Sequence, residues 1–594
     1  MGACLLLAAA LACPAEAVST LRFRAAAVPA SKGEPARARI YVGGEAVMTI
    51  SGHGWKTLAV AQEVASRLNA LAEDGARPED IGLWAERKAH VLVARGERLV
   101  TVDKAVAASQ GSEREGLARL WLKNLRAQFA KPYLSVAPIL VPLGETRPVV
   151  VKGNIAGQLA VDAETPMVRV TWDETSREIR VLGAQVGRTE LVVQDGASVL
   201  RVPVRVAKYA ARLLGAVVAQ VTGNPAPPSV VEQAVRAALG ASLALEPGAF
   251  VSLTAQREDL APLWLGRTAR VRTVVSVSGP EYLPFYARPT VEVLNEAISQ
   301  AEAQSLMVSN SPERLAGHGL WFEGKISGGQ PARLLYHHVN ASRGAADLVV
   351  ELWNLGEAMA RVQVVAGTAG PSQDEAYVGH RAAAEFLSRR AGGEGWVVPI
   401  AARTAAPVVS QRLPAGAVAS GVIEFRPLSA ADLRVRVYLA PSLSLRFPRL
   451  VENYAESPLL GRWQYSQTRR EISARYQVGR EWAFITIGDQ PLVGASGGDL
   501  LAGAYGVIHD IALELTNPTA LPAQVDLYLE PAGGPARAAV LVDGVPVETA
   551  MLRRHDEGTL ARYRLGPGQT RRVRLQTMPQ GGSNYPVRLV ARAP

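Results

Sequence analysis

The chain has 594 residues, which is too many for one hydrophobic core and predicts roughly four or five domains of about 100 to 150 residues each. Hydrophobic residues make up 48% of it and charged residues 20%, so an intrinsically disordered chain is excluded. The formal net charge is +10, but the arginines are scattered instead of clustered in basic helices or runs, which argues against a dedicated nucleic-acid-binding protein. A diffuse positive charge favours anionic envelope polymers as partners.

Residues 1–17 are predicted to be a signal peptide. An apolar run that starts at Cys4 is followed by a small-x-small triplet ending at Ala17, the spacing that signal peptidase accepts. A lipoprotein signal with Cys13 as the acylated residue is the alternative. Both cysteines lie in this leader, so we expect a mature protein without disulfides or cysteine-ligated metals. We expect export to the periplasm or cell surface, and the remaining sequence has no apolar stretch long enough for a transmembrane span.

The next two segments are predicted to be a linker and a small α+β domain. Residues 18–36 are rich in small and polar residues and contain two prolines, which indicates a linker. Residues 37–133 contain a hairpin with a paired-glycine turn, an amphipathic helix over about 56–72, three short strands and a last helix that opens near Ser112. The expected order of elements is ββαβββα.

Residues 134–207 are predicted to be an immunoglobulin-like sandwich. Short strands separated by glycine turns fill the segment, and the sequence Gly187-Arg-Thr189-Glu-Leu191-Val-Val precedes its final strand. This stretch resembles the N-terminal domain of pilus-assembly secretins and, nearly as well, the group-2 bacterial immunoglobulin-like domains, which share a Gly-x-Thr-x-Leu-x-Val pattern. The resemblance implies an envelope location and a non-catalytic role, such as that of an accessory in a pilus or secretion assembly.

Residues 208–310 are predicted to be a second α+β domain. We expect helices over about 209–221 and 291–303, and another helix that opens at Ser229 with Glu232 three residues on as a capping box. Alternating apolar runs between these helices indicate strands.

A repeated stretch predicts two tandem β-sandwiches, 311–443 and 473–594, joined by a linker at 444–472. Residues 346–364 and 509–527 are identical at six of nineteen positions, and in both an alternating strand ends at an asparagine before a short turn and a return strand. Such a unit cannot bury its apolar face alone and needs a second sheet. The identical residues are Asp347, Glu351, Leu352, Asn354, Ala360 and Val362 in the first copy and Asp510, Glu514, Leu515, Asn517, Ala523 and Val525 in the second.

Two features accompany the repeat. Each copy is followed by a Leu-x-x-Gly turn, one from Leu413 to Gly416 and one from Leu565 to Gly568, which we expect to lead into another strand. A helix over about 381–391 interrupts the first sandwich, and an insertion of this kind indicates a working surface.

One group of residues has the composition of a metal site. His337, His338, Asp374, Glu375 and His380 supply the imidazoles and carboxylates that bind zinc or another divalent ion. Adjacent strand residues point to opposite faces, so only one of the two neighbouring histidines can join. The candidate ligands are therefore His338, Asp374 and His380. The alternative, which we favour, is that His338 packs or hydrogen bonds in its sheet and His380 caps the inserted helix, so that no metal or other cofactor is assigned.

Two other functions are alternatives. A hydrolase centred on His380, with Ser372 and Asp374 as the rest of a triad, would lack a nucleophile elbow. A carbohydrate-binding protein would need three exposed aromatic side chains on one sandwich face. The aromatic residues of the first sandwich are Trp321, Tyr336, Trp353, Tyr377 and Trp396, and those in or near the following linker are Trp463, Tyr465, Tyr476 and Trp482.

The sequence thus predicts a multidomain, mainly β protein: a small N-terminal α+β domain, an immunoglobulin-like sandwich, a middle α+β domain and two tandem β-sandwiches. We interpret it as a non-catalytic, exported, modular bacterial envelope protein that acts as a scaffold, adhesion or binding protein. Envelope proteins or anionic envelope polymers are the expected partners, and a glycan is the alternative. The sequence indicates no oligomeric state.

Overall fold

The structure is a computed structural model that describes residues 20–29, 36–196, 198–429, 431–441, 449–451, 454–494 and 499–594. The predicted signal peptide, with Cys13, lies outside these residues. The chain divides into two compact units, one up to Tyr209 together with Pro280–Leu283 and the other made of Ala210–Gly279 and Pro284–Pro594. It is multidomain and mainly β, as the sequence predicts. Each helix in the described ranges is too short or too polar to cross a bilayer.

The first unit begins with an α+β domain built on one hydrophobic core. Two antiparallel sheets, β1-β2-β3 and β4-β5-β6, pack with three helices around residues such as Ile40, Leu68, Leu92 and Phe129. The elements are β1 (Phe23–Val28), β2 (Arg37–Val42), β3 (Glu45–Ser51), α1 (Thr57–Glu73), β4 (Ile81–Ala85), β5 (His90–Ala94), β6 (Glu97–Val102), α2 (Lys104–Ala108) and α3 (Arg114–Phe129).

The prediction of a linker at 18–36 is wrong in part, because this segment contains strand β1. This strand pairs antiparallel with β2, and the ring of Phe23 is buried and stacks on Phe129 with ring centroids 5.8 Å apart. The small and polar composition of this segment gave no signal for a strand. Its single large apolar side chain packs into a core whose other residues are distant in sequence. The domain therefore begins upstream of residue 37, and its first sheet has three strands.

The predicted immunoglobulin-like segment is a sandwich of two four-stranded sheets, β10-β13-β14-β8 and β11-β12-β9-β7. Alternate residues of each sheet, including Val149, Ile179, Leu191 and Val202, form the core between them. The strands are β7 (Tyr133–Leu134), β8 (Ile139–Pro142), β9 (Thr146–Lys152), β10 (Ala160–Ala163), β11 (Val168–Asp173), β12 (Glu178–Gly183), β13 (Gly187–Asp195) and β14 (Ser198–Ala207).

The second unit contains the middle segment and both C-terminal sandwiches. Its first part is composed of β15 (Ala211–Leu213), β16 (Val218–Thr222), α4 (Pro228–Ser242), β17 (Leu243–Leu245), β18 (Phe250–Ala255), β19 (Thr268–Ser278), β20 (Phe285–Ala287), β21 (Thr290–Asn295), β22 (Ser305–Ser309), β23 (Arg314–Leu315), β24 (Gly319–Ile326), β25 (Ala332–Asn340), β26 (Ala346–Asn354), β27 (Ala360–Ser372), α5 (Glu375–Gly392), β28 (Gly395–Ile400), β29 (Thr404–Leu413), β30 (Val418–Pro427), β31 (Leu433–Pro441) and β32 (Arg449–Leu450).

One long sheet joins the middle segment to the first sandwich. Its strand order is β18-β19-β21-β16-β28-β27-β30-β25-β22, and the facing sheet of the sandwich is β24-β31-β26-β29-β32. The junction is the pairing of β16 with β28, in register at Val221 and Trp396. The boundary predicted at residue 310 therefore does not separate two sheets, and 208–310 is not an independent domain.

Two of the three helices predicted in the middle segment are wrong. Residues 209–221 contain β15 and β16, and the segment 291–303 begins inside β21. In β21 the buried side chains alternate, with Val291, Val293 and Asn295 facing inward. Short runs of alanine and valine are compatible with either a helix or a strand. Here the two segments form strands because β16 and β21 pair in parallel. The helix expected at Ser229 is observed as α4.

The last part of the chain forms the second predicted sandwich, with sheets β34-β38-β43-β40-β41 and β35-β44-β39-β42. Strand β33 (Gln464–Tyr465) precedes it, and β36 (Leu492–Val493) and β37 (Leu500–Leu501) form a separate two-stranded sheet. The strands of the sandwich are β34 (Arg469–Gln477), β35 (Ala483–Ile487), β38 (Ile508–Thr516), β39 (Ala523–Pro531), β40 (Ala539–Val542), β41 (Val545–Glu548), β42 (Gly558–Leu565), β43 (Thr570–Thr577) and β44 (Val587–Arg592).

In the linker predicted at 444–472, strands β32 and β33 pair with strands of the first sandwich, and strand β34 of the second sandwich already begins at Arg469. Strand β33 extends the long sheet by pairing with β22, with Leu306 opposite Tyr465. The Tyr454 hydroxyl donates a hydrogen bond of 2.5 Å to the buried carboxylate of Glu323. The aromatic and arginine-rich composition of this segment reflects these contacts and not a free connection.

The repeated stretches are the same structural motif, a corner closed by a buried asparagine. In each copy the chain leaves one sheet of its sandwich after the asparagine and returns in the other sheet, as β26 to β27 and as β38 to β39. The Asn354 amide donates to the carbonyls of Ala358, Ile400 and Ala401 at 2.8, 3.1 and 3.1 Å. The Asn517 amide does the same to Leu521, Leu565 and Gly566 at 2.8, 3.1 and 3.1 Å.

Both Leu-x-x-Gly turns lead into another strand as predicted, from β29 into β30 and from β42 into β43, but they close different corners. The Leu565 carbonyl accepts from Asn517 at 3.1 Å, but the Leu413 carbonyl accepts from a third buried asparagine, Asn340, at 2.9 Å. This third corner joins β25 to β26, and Ser342 there donates to the Asn340 side chain at 2.6 Å. The first sandwich therefore has two consecutive corners, and the sequence repeat aligns the second sandwich with only one of them.

Candidate metal site

Both ring nitrogens of the predicted ligand His338 form hydrogen bonds with nearby residues. Its Nε2 lies 2.8 Å from the Ser309 hydroxyl, and its Nδ1 lies 3.1 Å from the Pro312 carbonyl. Burial lowers the pKa of His338 to about 4, with a further contribution from neighbouring His337. With one nitrogen donating to a carbonyl and the other accepting from a hydroxyl, neither is free to bind an ion.

His380 and Asp374 have separate structural roles. The Asp374 carboxylate caps helix α5 by accepting from the Tyr377 backbone N–H at 2.9 Å, so the predicted capping role of His380 is wrong. His380 lies further along α5 and links it to the second sandwich. Its Nε2 is 2.7 Å from a Glu548 carboxylate oxygen, and its Nδ1 is 3.1 Å from the Gln580 amide nitrogen. Burial lowers the pKa of His380, which favours a neutral ring that donates to Glu548 and accepts from Gln580.

A different set of side chains converges. The ligand atoms of Glu313, His337 and Glu375 all lie within 4.8 Å of one another, and His337 Nε2 is 3.8 Å from a Glu313 oxygen. Glu313 belongs to the connection between β22 and β23, His337 lies on β25, and Glu375 is the first residue of α5. In the described ranges this is the one group of three or more such residues with this spacing.

His337 is the buried member of the group. Its residue is 2% exposed, and neither ring nitrogen has a hydrogen-bond partner among the described residues. Burial lowers the pKa of His337 to about 4, so the ring is neutral at physiological pH. Neutral imidazole is the form that binds metal ions.

The two carboxylates are arranged in a way that disfavours two negative charges. Burial raises the pKa of Glu313, and the nearby charge of Glu375 raises it further, while Arg314 opposes both effects. A cation between the two carboxylates would remove this repulsion.

The three side chains open into a cavity of about 340 Å³ whose far wall belongs to the second sandwich. A Cβ atom on Gly581 would lie 2.6 Å from His337 Nδ1, and one on Gly379 would lie 1.8 Å from the Gly581 carbonyl oxygen. Only glycine at both positions allows the loop and helix α5 to approach this closely. The other lining residues are Val308, Asn310, Leu335, Leu501, Tyr505, Gly582, Ser583 and Asn584.

Sequence reasoning named two members of this group but did not select them. The strand period correctly separates His337 from His338, but every residue of β25 is buried, so the pattern does not show which histidine faces the cavity. Glu313 lies in a connection far from α5 in sequence, and no motif spacing pointed to it.

Among the nine aromatic side chains named from the sequence, the described structure shows no exposed strip of three on the first sandwich. Of the nine aromatic side chains, Tyr377 and Trp482 are exposed, and they lie in different sandwiches. Trp321 and Trp463 are partly exposed. The buried ones are Tyr336, Trp353, Trp396, Tyr465 and Tyr476.

His509, on β38, should make folding sensitive to acid. Burial lowers its pKa to about 4 and Arg470 lowers it further, although the Val507 carbonyl and Asp489 oppose the shift. Below its ordinary pKa of 6.5 the unfolded chain takes up a proton that the folded chain does not, so stability falls as pH drops from 6.5 towards 4. We expect this residue alone to cost about 2–3 kcal/mol at pH 4.

The measurement is the free energy of unfolding by urea at steps between pH 7 and pH 4. His509→Gln should flatten the slope over this window, and the exposed His318→Gln should leave the slope unchanged. Equal slopes in the wild type and His509→Gln would show that His509 titrates alike in the folded and unfolded states.

The chain matches no family model and no curated protein. Solved structures match over short segments. Domains 4 and 5 of the S-layer protein SbsC are 20% identical over 13% of this chain with a TM-score of 0.12, and the chain spans 50% of that fragment. The human mucin-like protocadherin EC1-2 is 14% identical over 28% of this chain and 100% of its own, with a TM-score of 0.11. The tandem Ig repeats of Dlar are 7% identical over 28% of this chain and 98% of their own, with a TM-score of 0.13.

Proposed function

We propose that this is a non-catalytic, exported modular protein of the cell envelope that acts as a scaffold or binding protein. The observation that supports the scaffold role is a buried ionic network that links the middle segment and both C-terminal sandwiches within one compact unit. Modules joined in this way keep fixed spacings, which suits a scaffold better than modules on free linkers.

The centre of the network is Glu424 on β30. Its carboxylate is fully buried and accepts hydrogen bonds from Arg333 at 3.2 Å, Arg390 at 3.4 Å and Arg426 at 2.6 Å. Burial alone would raise the pKa of Glu424, but the three guanidinium groups hold it below its ordinary value. The carboxylate is therefore ionised at neutral pH and balances part of the buried positive charge.

The network reaches the second sandwich through backbone and side-chain contacts. Arg333 on β25 also donates to the carbonyls of Thr468 and Gly506, at 2.8 and 3.1 Å. Arg469 on β34 donates to Glu302 at 3.2 Å. Thr468 and Arg469 lie within the segment predicted to be a linker, and Gly506 lies beyond it, so the network joins the first sandwich to the start of the second.

The network also includes the middle segment. Arg426 contacts the Gln363 amide oxygen at 3.4 Å, and the amide nitrogen of Gln363 donates to the Thr222 hydroxyl at 2.8 Å. That hydroxyl in turn donates to the Gly393 carbonyl at 2.7 Å. Strand β16 is therefore tied to the first sandwich by side chains as well as by the long sheet.

The placement of the candidate catalytic residues does not support the hydrolase alternative. The nitrogens of His380 are taken by Glu548 and Gln580, and Asp374 is a helix cap, so the hydrolase centred on His380 has no supporting geometry. A role as an accessory of a pilus or secretion assembly rests on the resemblance of residues 134–207. Export rests on residues 1–17.

The test is the location of the protein in a bacterial cell. We expect full-length protein with a C-terminal tag to fractionate with the envelope or medium and to be degraded by protease added to intact or outer-membrane-permeabilised cells. A chain without residues 1–17 should stay in the cytoplasm and be protected. Release from the envelope fraction by salt would indicate an electrostatic attachment to anionic polymers. Full-length protein that stays in the cytoplasm would contradict the proposal.

A further inference from the structure

We propose that Glu313, His337 and Glu375 bind one divalent transition-metal ion, with zinc preferred, at the joint between the two C-terminal sandwiches. The inference goes beyond the proposed scaffold function and does not depend on where the protein is located. It rests on the convergence of the three side chains and on the burial of the His337 ring without hydrogen-bond partners among the described residues.

The donor set and its spacing fit a small cation. One imidazole nitrogen and two carboxylate groups have their ligand atoms within 4.8 Å of one another. Ligands at zinc distances in a tetrahedral site are about 3.4 Å apart, so the group has to contract by roughly 1 Å. The side chain of Glu313 is 42% exposed and Glu375 is exposed, so both carboxylates are free to make this adjustment around the fixed histidine.

His337 is the observation that points to a ligand. Buried polar atoms almost always have hydrogen-bond partners, but both nitrogens of this ring have none among the described residues while the ring lines the cavity. A bound metal ion would satisfy one nitrogen and would place a positive charge beside the two carboxylates. Asn310 and Ser583 line the same cavity and leave room for further oxygen ligands or water.

The chemistry of the set favours zinc over calcium or magnesium. Imidazole is a preferred ligand of zinc and related transition metals. Calcium takes six to eight oxygen ligands and magnesium keeps most of its water, so neither ion gains from a buried imidazole.

The position of the site gives the ion a structural role. The ligands come from the β22–β23 connection, from β25 and from the start of α5, and the loop that contains Gly581 closes the cavity from the second sandwich. An ion held here would restrain the start of α5 beside that loop. Binding should therefore stabilise the joint between the sandwiches as well as the three ligands.

The experiment uses the purified full chain after removal of metals with EDTA. Isothermal titration with ZnCl₂, CaCl₂ and MgCl₂ should show one zinc ion per chain and weaker binding of the other two. Saturating zinc should raise Tm on the order of 5 °C. Hydrogen exchange at residues 375–380 and 581–584 should slow when zinc is added.

The variants are Glu313→Gln and Glu375→Gln, which keep the side-chain shape and remove the charge. Each should weaken zinc binding roughly 100-fold or more, because even the loss of an outer-shell partner costs about 10- to 100-fold. The controls are the exposed His318→Ala and Glu357→Gln, which should bind zinc as the wild type does. Circular dichroism in EDTA establishes that each variant is folded.

Three results would overturn the proposal. Unchanged zinc affinity in both glutamine variants would place the ion elsewhere, and equal affinity for calcium would show that the donor class is wrong. Absence of any cation binding by the folded wild type would mean that the cavity holds no metal.

Discussion

Replacement of Glu424 by glutamine should lower the free energy of unfolding by about 3–5 kcal/mol, because it leaves buried arginines without a compensating charge. The Arg333 side chain is fully buried and the Arg390 and Arg426 side chains are nearly so, and all three donate to this carboxylate. Glutamine keeps the shape but has one accepting oxygen and no charge. Burial already lowers the pKa of Arg333, which shows how strongly this environment disfavours an unbalanced guanidinium.

Urea unfolding of the wild type and the variant, followed by circular dichroism, measures the change. The matched control is Glu357→Gln, which removes the carboxylate of an exposed pair with Arg403. Exposed pairs contribute about 0–1 kcal/mol, so the control should be close to the wild type. Equal small effects in both variants would mean that the network does not hold the modules together.

Replacement of Asn517 by alanine should cost about 3–4 kcal/mol, because the corner between β38 and β39 loses several buried hydrogen bonds at once. The side chain is fully buried, its amide serves three carbonyls, and its oxygen accepts from the Thr519 backbone and hydroxyl at 3.1 and 2.7 Å. Alanine leaves those groups buried without partners. Asn354→Ala should have a similar effect in the first sandwich.

Graded variants distinguish the corner from a simple volume effect. Thr519→Ala removes only the hydroxyl contacts and should cost about 1 kcal/mol. The exposed Asn154→Ala should change the unfolding midpoint very little. If Asn517→Ala and Thr519→Ala both lowered the free energy of unfolding only slightly, the Asn517 side chain would not be the group that closes the corner. The identity of Asn354 and Asn517 in the repeat would then need another explanation.

The alternating pattern and the repeat determined a large part of this fold. Alternation places Leu191 and Val202 in a core, and together with the glycine turns it was enough to predict a compact sandwich at 134–207. The identity at Asn354 and Asn517 marked two corners of one geometry, because a buried asparagine with three carbonyl partners tolerates few substitutes. These properties are local, so they can be read from a few adjacent residues.

Only the tertiary structure decided features that depend on distant partners. Residues 209–221 contain strands and not a helix because β17 pairs with β15, and β21 and β28 pair with β16. Glu313 joins His337 because the β22–β23 connection passes over a cavity closed by Gly581. Strand pairing, burial of both faces of a strand and the convergence of charged groups all require contact between segments that are far apart in the chain. The hydrophobic periodicity of one segment does not show which other segments it will contact.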